Sequence, residues 1–350
     1  MLKEIVDNYK KYSDNVHYGK HSRIIHGKEF IKENLNYDIQ DDRCLKVIVA
    51  NANGLKTKVG DHNHSSTLEE MIQIKNLFAI YDLAPRVYKA FEMGSNRKYM
   101  VVEQDYLGEW ENKDNTKLIE KIKEFSEKFD ILPYEQEITS DINYVDGKFV
   151  DFHGFNFKDK NKYIEELKER IRIVTHYGKN IDGKQISYQS TDDFSGKRNT
   201  DYRIKAMKID GRHFIGKSVL DVGCNLGMFC LYAKKHGATE VLGVDKKEII
   251  NLAKEWANIH CLWDINYEAV DLNNWKPKMK YDVLFYLAVY EYFGLPEWAI
   301  NCADIIYFEG HASTDKEKVK DELKKYYKEV IDLGETTDRS NRPIFKCMKG

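Results

Sequence analysis

The stretch that most constrains this chain is VLDVGCNLG, residues 219–227, an apolar run that stops on an acid and then turns on two glycines. A buried strand running straight into such a turn brings the backbone as close to a ligand as a chain can come. Glycine is required there because a Cβ would block the approach or forbid the dihedral angles. The bland alternative is a tight turn and nothing more.

What surrounds the turn favours a ligand. From about residue 217 onward, SVLDVG, TEVLGVD, YEAVDL, YDVLFYLAV and ADIIYFEG are short apolar runs, and helical patterns separate most of them. That alternation predicts an α/β unit with a parallel sheet covered by helices. In an open sheet of this kind, ligands bind at the carboxyl ends of the strands, where strand order reverses. The closing segment, YKEVIDLGETTDRSNRPIFKCMKG, reads as two strands joined by a polar loop, a terminal antiparallel hairpin.

A dinucleotide fingerprint needs Gly-x-Gly-x-x-Gly. Counting from Gly223, its second and third glycine positions hold Asn225 and Met228. What remains is Asp221-x-Gly223-x-Asn225-x-Gly227, and an acid at Asp221 suits an ammonium and repels a pyrophosphate. LDVGCNLG resembles motif I of class I S-adenosylmethionine (SAM)-dependent methyltransferases, usually (D/E)-x-G-x-G-x-G, and the resemblance covers roughly residues 185–350. Asn225 occupies the middle glycine slot, and Asn tolerates the left-handed φ such a slot requires.

The resemblance implies a Rossmann-like class I methyltransferase sheet, mostly parallel with a C-terminal antiparallel hairpin, and SAM held by Asp221, Gly223, Cys224, Asn225 and Gly227. It also assigns the next strand ends. EVLGVD ends on Asp245, 24 residues after Asp221, where the family's acid accepts both ribose hydroxyls; a helix N-cap is its alternative role. Lys246 flanks the adenine. Asp271, with Leu272 beside it, falls where an acid meets the adenine amino group. Leu287 closes the fourth strand, which resembles motif IV. Upstream, YQSTDDFSGKRNTDYRIKAMKI resembles a segment that closes over SAM. Its candidates are Tyr188, Gln189 and Arg203, with Arg203 on the methionine carboxylate or simply solvated.

Amino-methylases of this class carry an NPPY-like motif after strand four. This chain has Leu287-Ala288-Val289-Tyr290-Glu291 there, closer to the small-molecule and sugar enzymes. The expected reaction is methyl transfer to a hydroxyl of a sugar, glycan or small polar acceptor, with Glu291, Glu309 and His311 as candidate bases. Tyr286, Tyr290 and Tyr292 read as packing residues. Arg339 and Arg342 face an acidic acceptor or solvent.

Charge and cysteine usage narrow the setting. A net charge of -2 gives the chain no bulk attraction to nucleic acid, which counts against an RNA methyltransferase without removing it. Six cysteines with no CxxC pair predict reduced, buried thiols and a cytoplasmic protein. MLKEIVDNYKKYSDN lacks the apolar core of a signal peptide, and no stretch approaches the roughly 18 apolar residues of a membrane span.

A length of 350 residues suggests two domains. The boundary is expected near 180, giving an N-terminal α+β domain at 1–180 and the methyltransferase domain at 181–350. In the first half, 45–50 reads as a strand, 67–81 as a helix capped by Thr67, 99–108 as a strand, and 116–129 and 160–178 as helices. Asp146-Gly147 marks a hairpin. This order faintly resembles a protein-kinase or sugar-kinase fold. YMVVEQDYLG resembles the kinase hinge, and Asn143 with Asp151-Phe152-His153-Gly154 resembles the metal-binding Asn and the Asp-Phe-Gly turn. That implies Mg²⁺ at Asn143 and Asp151, and ATP. The departures are plain. There is no glycine-rich loop of the expected form. The catalytic Asp position falls near Ile138, with Asp141 offset. Lys46, Lys56 and Lys58 compete to pair with Glu69 or Glu70. A degenerate kinase-like accessory domain serving substrate recognition, a working kinase and a chance likeness all remain open, the working kinase as part of a bifunctional protein acting on a surface glycan.

Overall fold

The structure is a computed structural model, and it describes residues 1–18, 22–48, 67–93, 99–108, 114–133, 138–139, 143–152, 155–179, 185–191, 193, 196–338 and 341–350. The chain divides into two compact units, Met1–Ile164 and Glu165–Gly350. The division falls inside the helix Lys160–Val174, earlier than the position near 180 read from the sequence.

In the first unit, β1 (Val16–Tyr18), β2 (Ser22–Ile25), β3 (Arg43–Ile48), β4 (Val87–Met93) and β5 (Tyr99–Asp105) form one antiparallel sheet in the order β1-β2-β3-β5-β4. The β1–β2 hairpin lies in a polar stretch that shows no strand periodicity, so it was not foreseen. The helix Leu68–Ile80 starts where expected, with the Thr67 hydroxyl accepting the Glu70 N–H at 3.1 Å. Leu68, Met71, Ile72, Ile74, Leu77 and Phe78 are buried, and so are Gln73, Lys75 and Asn76. Helix Thr116–Lys128 follows. β6 (Ile131–Leu132) pairs with β9 (Asn156–Phe157). Between them, β7 (Tyr144–Val145) and β8 (Lys148–Phe149) form the expected hairpin. Asp146 and Gly147 have φ of 46° and 69°, the two left-handed residues of a type I′ turn.

In the second unit, β10 (His176–Lys179), β11 (Gln185–Gln189) and β12 (Gly196–Arg198) make a small sheet, and the helix Thr200–Ala206 follows. The main sheet has seven strands: β13 (Ser218–Val222), β14 (Glu240–Asp245), β15 (Asn266–Ala269), β16 (Tyr281–Leu287), β17 (Ala303–Glu309), β18 (Glu329–Thr336) and β19 (Arg342–Met348). Their order is β15-β14-β13-β16-β17-β19-β18. The first five are parallel, and β19 pairs antiparallel with both β17 and β18. This is the sheet the sequence predicted, with its terminal hairpin. The chain runs outward from β13 to β15 and returns to place β16 on β13's other side, so the strand order reverses between β13 and β16.

Burial on both faces explains the continuous apolar runs. Val219, Val283, Phe285 and Leu287 join one core, under Phe229, Cys230 and Trp256. Leu220, Val222, Leu284 and Tyr286 join the core on the other side with Ala299, Val319 and Leu323. Helix Lys247–Ile259 buries Ile249, Ile250, Leu252, Ala253 and Trp256 along one stripe, each large side chain contributing about 1.5–3 kcal/mol. Cys44, Cys224, Cys230, Cys302 and Cys347 are buried free thiols, as their setting in apolar runs predicted, and Cys261 is half-buried. Among the described residues no helix is long and apolar enough to cross a membrane.

Candidate active site

The carboxyl ends of β14, β13, β16 and β17 lie side by side, and the loops that follow them carry most of the predicted site residues. After β13 the chain turns through Gly223 (φ 69°), Asn225 (φ 52°) and Gly227 (φ 70°), and the helix Met228–Lys235 begins. All three need the left-handed region, so Asn225 fills the glycine slot on the terms expected. The crowding at the glycines comes from the protein itself. A Cβ on Gly223 would lie 2.6 Å from Val289 Cγ1, and one on Gly227 would lie 2.3 Å from the Tyr267 hydroxyl. The turn is wedged between the loop after β16 and the Tyr267 side chain of β15.

Asp221 ends up on the buried face beside Cys230, whose thiol donates to Oδ2 at 3.6 Å. Burial pushes its carboxyl up to about 7; the Cys230 bond and the Arg203 charge oppose this. Asp245 is half-buried at the end of β14. Its Oδ2 accepts the Asn225 N–H at 2.9 Å and its Oδ1 the Lys246 N–H at 2.8 Å. Burial raises this carboxyl as well, against those two backbone bonds. Its alternative role as N-cap of Lys247–Ile259 is not what the structure has, because Lys246 is the cap residue. Cys224 is buried and its thiol is pushed up by burial, so it lines the turn as an inert group. Asn225 Oδ1 is buried with no hydrogen-bond partner among the described residues.

Gln189 plays a part that the sequence did not disclose. Its Oε1 accepts the Leu226 N–H at 3.2 Å, and its Nε2 points to the Cys224 carbonyl at 3.4 Å. One amide therefore holds both sides of the turn. Its neighbour Tyr188 accepts from Arg342 Nη1 at 3.3 Å, so β11 reaches both the first parallel strand's turn and the terminal hairpin.

Three of the predicted site residues already have partners within the protein. Asp271 is exposed, and its oxygens accept from the Asn273 N–H, Asn273 Nδ2 and Asn274 Nδ2 at 2.9–3.0 Å. Those bonds hold it below the ordinary carboxylate value: it closes its own turn, and Leu272 beside it packs against the core. Arg203 is not solvated, and its Nη2 is already engaged within the protein. It is buried, donates to Glu309 Oε2, and lies 5.0 Å from the Phe229 ring centroid. Glu309 is fully buried between Arg203 and Arg198, and its Oε1 also accepts the Thr336 hydroxyl at 2.7 Å. Burial raises it, but the two guanidinium charges and the Thr336 bond hold it below its ordinary value overall. Such a carboxylate is a poor proton acceptor at neutral pH.

The other two candidate bases come together. Thr314 Oγ1 accepts the His311 N–H at 2.7 Å and donates to Glu291 Oε1. Burial and the Arg342 charge lower the His311 imidazole from its ordinary 6.5, against the pull of Glu291 and Glu309. Of the three tyrosines, two pack as expected. Tyr286 donates to the Gly294 carbonyl at 2.7 Å and Tyr290 to Glu322 Oε2 at 2.6 Å, whereas Tyr292 is 72% exposed. Ala288, just past Leu287, has φ of 59°, a conformation that costs a non-glycine residue about 1 kcal/mol. Its N–H donates to the Glu309 carbonyl at 2.7 Å, and the bend seats Val289 against Gly223. Arg339 lies outside the described residues.

In the first unit Glu70 accepts the Phe157 N–H at 3.1 Å. The buried cation of that helix is Lys75, bonded to Gln104 at 2.5 Å. Burial and the nearby Lys46 charge lower it to about 7, against Asp151 and Asp105. The Val150 N–H donates to the Asn143 carbonyl at 2.9 Å, which brings Asn143 beside the start of the Asp151 turn. Among the described residues no three His, Cys, Asp or Glu side chains converge. Lys56, Lys58, Asp141, His153 and Gly154 lie outside the described residues.

No family model matches the chain. A segment of 94 residues is 38% identical to the ubiquinone biosynthesis O-methyltransferase of Coxiella burnetii, spanning 26% of this chain and 39% of that one. A segment of 47 residues is 49% identical to protein arginine N-methyltransferase 1 of Saccharomyces cerevisiae, spanning 13% and 14%. The chain thus spans well under half the length of these curated relatives. Among solved structures it is similar to the N-terminal domain of EvdMO1 with SAH and D-fucose, at 14% identity over 55% of this chain and 97% of that one, TM-score 0.41. It is also similar to the bifunctional kinase-methyltransferase WbdD, at 18% identity over 46% and 43%, TM-score 0.38. The main sheet of residues 165–350, five parallel strands closed by an antiparallel hairpin, has the α/β arrangement that the sequence resemblance implies.

Proposed function

We propose that this chain is a SAM-dependent methyltransferase that methylates a hydroxyl of a sugar, glycan or other small polar acceptor. One juxtaposition carries the reading. At the point of strand reversal, two buried or half-buried acceptors, Asp221 and Asp245, flank a left-handed turn with an orphaned Asn225 Oδ1. Two strands away stands a histidine held below its ordinary pKa.

These residues fit SAM by their donor and acceptor chemistry. Asp221 and Asn225 offer buried oxygens to the methionine ammonium. Asp245 retains lone pairs for the ribose hydroxyls, and Lys246 flanks the adenine. Gln189 fixes the turn that presents Asn225. Leu287 and Val289 line the turn with apolar surface that keeps water out. When bound, SAM supplies a methyl on a sulfonium, which forms a C–O bond as the C–S bond breaks and leaves a neutral thioether. His311, neutral at pH 7, takes the acceptor's hydroxyl proton and passes it to water, while Glu291 and Thr314 hold its loop. Transfer is an in-line displacement, so orientation is most of what the protein contributes.

Calorimetry with SAM, alongside tritiated-methyl transfer to a defined glycan pool, tests this. Binding and transfer are expected, and His311→Ala should abolish transfer while leaving binding. A protein that binds no SAM sinks the reading.

A second reading keeps a bifunctional, kinase-like first unit. Its support is the buried Lys75 amine, which donates to Gln104 of β5 and lies where Lys46 and Asp151 both act on its charge. Mg²⁺-dependent ATP hydrolysis that Asp151→Ala removes would favour it.

A further inference from the structure

We infer that Tyr292 and His311 form the acceptor subsite, with a hydroxyl-bearing six-membered ring lying on the tyrosine and its rim hydroxyl turned to the imidazole. This rests on the methyltransferase reading above. The two rings stand 5.3 Å apart at 89°, a corner with one flat wall and one proton acceptor. The loop that carries His311 is fixed, because the backbone N–H of His311 is bonded to Thr314 Oγ1 at 2.7 Å and its carbonyl accepts the Thr314 N–H at 3.1 Å. Tyr292 belongs to the helix Tyr290–Phe293, which directly follows the bend at Ala288. That bend places the helix at the carboxyl edge, next to the loop after β17.

Exposure alone would prove nothing. Ile173 and Ile215 are also more than half exposed, and isolated surface apolar residues are normal. Tyr292 differs in that its ring faces a candidate base across the site's edge, while Tyr286 and Tyr290 from the same stretch have their hydroxyls tied down. An aromatic face carries negative charge density. It attracts the polarised C–H face of a pyranose, or the edge or offset face of another aromatic ring. A flexible acyclic polyol gains little from it. The shared chemistry is therefore a ring bearing a hydroxyl, whether sugar or phenol.

The test uses the full chain loaded with S-adenosylhomocysteine. Saturation-transfer NMR is run with methyl α-D-glucopyranoside, methyl α-D-mannopyranoside and catechol, with glycerol as the acyclic control. At least one ring probe is expected to be saturated and glycerol is not; which ring responds separates the sugar source from the phenol source. Tyr292→Phe should keep the signal, and Tyr292→Ala should weaken probe binding about three- to tenfold. Calorimetric affinity for S-adenosylhomocysteine should stay within about twofold in both variants. The side chain is exposed, so both variants should fold, and unchanged melting curves check that. Full signal in Tyr292→Ala overturns the inference, and so does a loaded protein that saturates neither ring type. If the wild-type chain takes up no S-adenosylhomocysteine, the methyltransferase reading itself has failed, and the subsite falls with it.

Discussion

On the β13–β14 side of the sheet's carboxyl edge, Asp221 and Asp245 meet a thiol and two backbone N–H groups. Burial raises both carboxyls. On the β17 side, Glu309 meets Arg198, Arg203 and the Thr336 hydroxyl, and it is held below its ordinary value. All three acids end parallel strands of one sheet. What separates them is whether the protein has already supplied the cation. A strand-end carboxylate is open to a ligand only where it has not, and the carboxylates on the two sides should therefore respond to substitution in opposite ways.

The largest effect is expected on the β17 side. Glu309→Gln leaves two buried guanidinium groups facing a neutral amide. Breaking a buried pair by removing one partner costs about 3–5 kcal/mol, so the denaturation midpoint should fall steeply and SAM binding should weaken only through loss of fold. A loss below about 1 kcal/mol would mean that the arginines find other acceptors, and the contrast between the two sides would dissolve.

Asp221 carries the next effect, and it reads out as pH dependence. Its folded carboxyl titrates at about 7 against an ordinary 3.8, so between those values the folded chain holds a proton that the unfolded chain has released. Stability is therefore full at low pH and declines as pH rises through this window, by up to about 1.4 kcal/mol per unit. Asp221→Asn should flatten that slope. Affinity for a cationic ligand runs the other way: SAM binding should strengthen with rising pH across the same window, and the variant should lose that dependence along with at least about tenfold in affinity. Equal slopes in the two proteins would show that Asp221 is not the titrating group.

Asp245→Ala should weaken SAM binding by about 10- to 100-fold, the worth of one or two hydrogen bonds to a charged acceptor. Stability should fall by about 1 kcal/mol, from the lost bond to the Asn225 N–H. Calorimetry and thermal melting on the same preparation separate the two. Undiminished binding would remove Asp245 from the site.

Much of this was legible in the sequence, for physical reasons. The apolar runs gave the parallel sheet, because strands buried on both faces must read that way. The motif from Asp221 to Gly227 gave the turn, because three left-handed positions in five residues leave a mark on residue choice. The pairing of Arg203 with Glu309 is not legible in the sequence, because it spans 106 residues of chain, a distance that spacing cannot encode. The role of Gln189 was hidden for the same reason: a polar residue in a short strand looks alike whether it meets a ligand or pins a turn 37 residues away. In the first unit the helix cap and the Asp146-Gly147 hairpin are local and were found. The β1–β2 hairpin lacks alternation and was not.

The smallest effect tests the rule where position and partnership disagree. Asp271 lies just past β15, where a sequence comparison puts a ligand-binding acid, yet three donors from Asn273 and Asn274 already engage it. If availability decides function, Asp271→Ala should shift SAM affinity by less than about twofold while costing up to about 1 kcal/mol of stability, as expected for a lost side-chain turn. If strand-end position decides, the loss in affinity should match that of Asp245→Ala. Asn273→Ala and Asn274→Ala sharpen the choice. Removing these two side-chain donors, with the Asn273 backbone N–H left in place, should then improve nucleoside binding only if Asp271 is near enough to reach the ligand, and calorimetry on the double variant reads this directly. No change in any of the three would place Asp271 outside the site and leave partnership as the better guide to which acids this fold gives to its ligand.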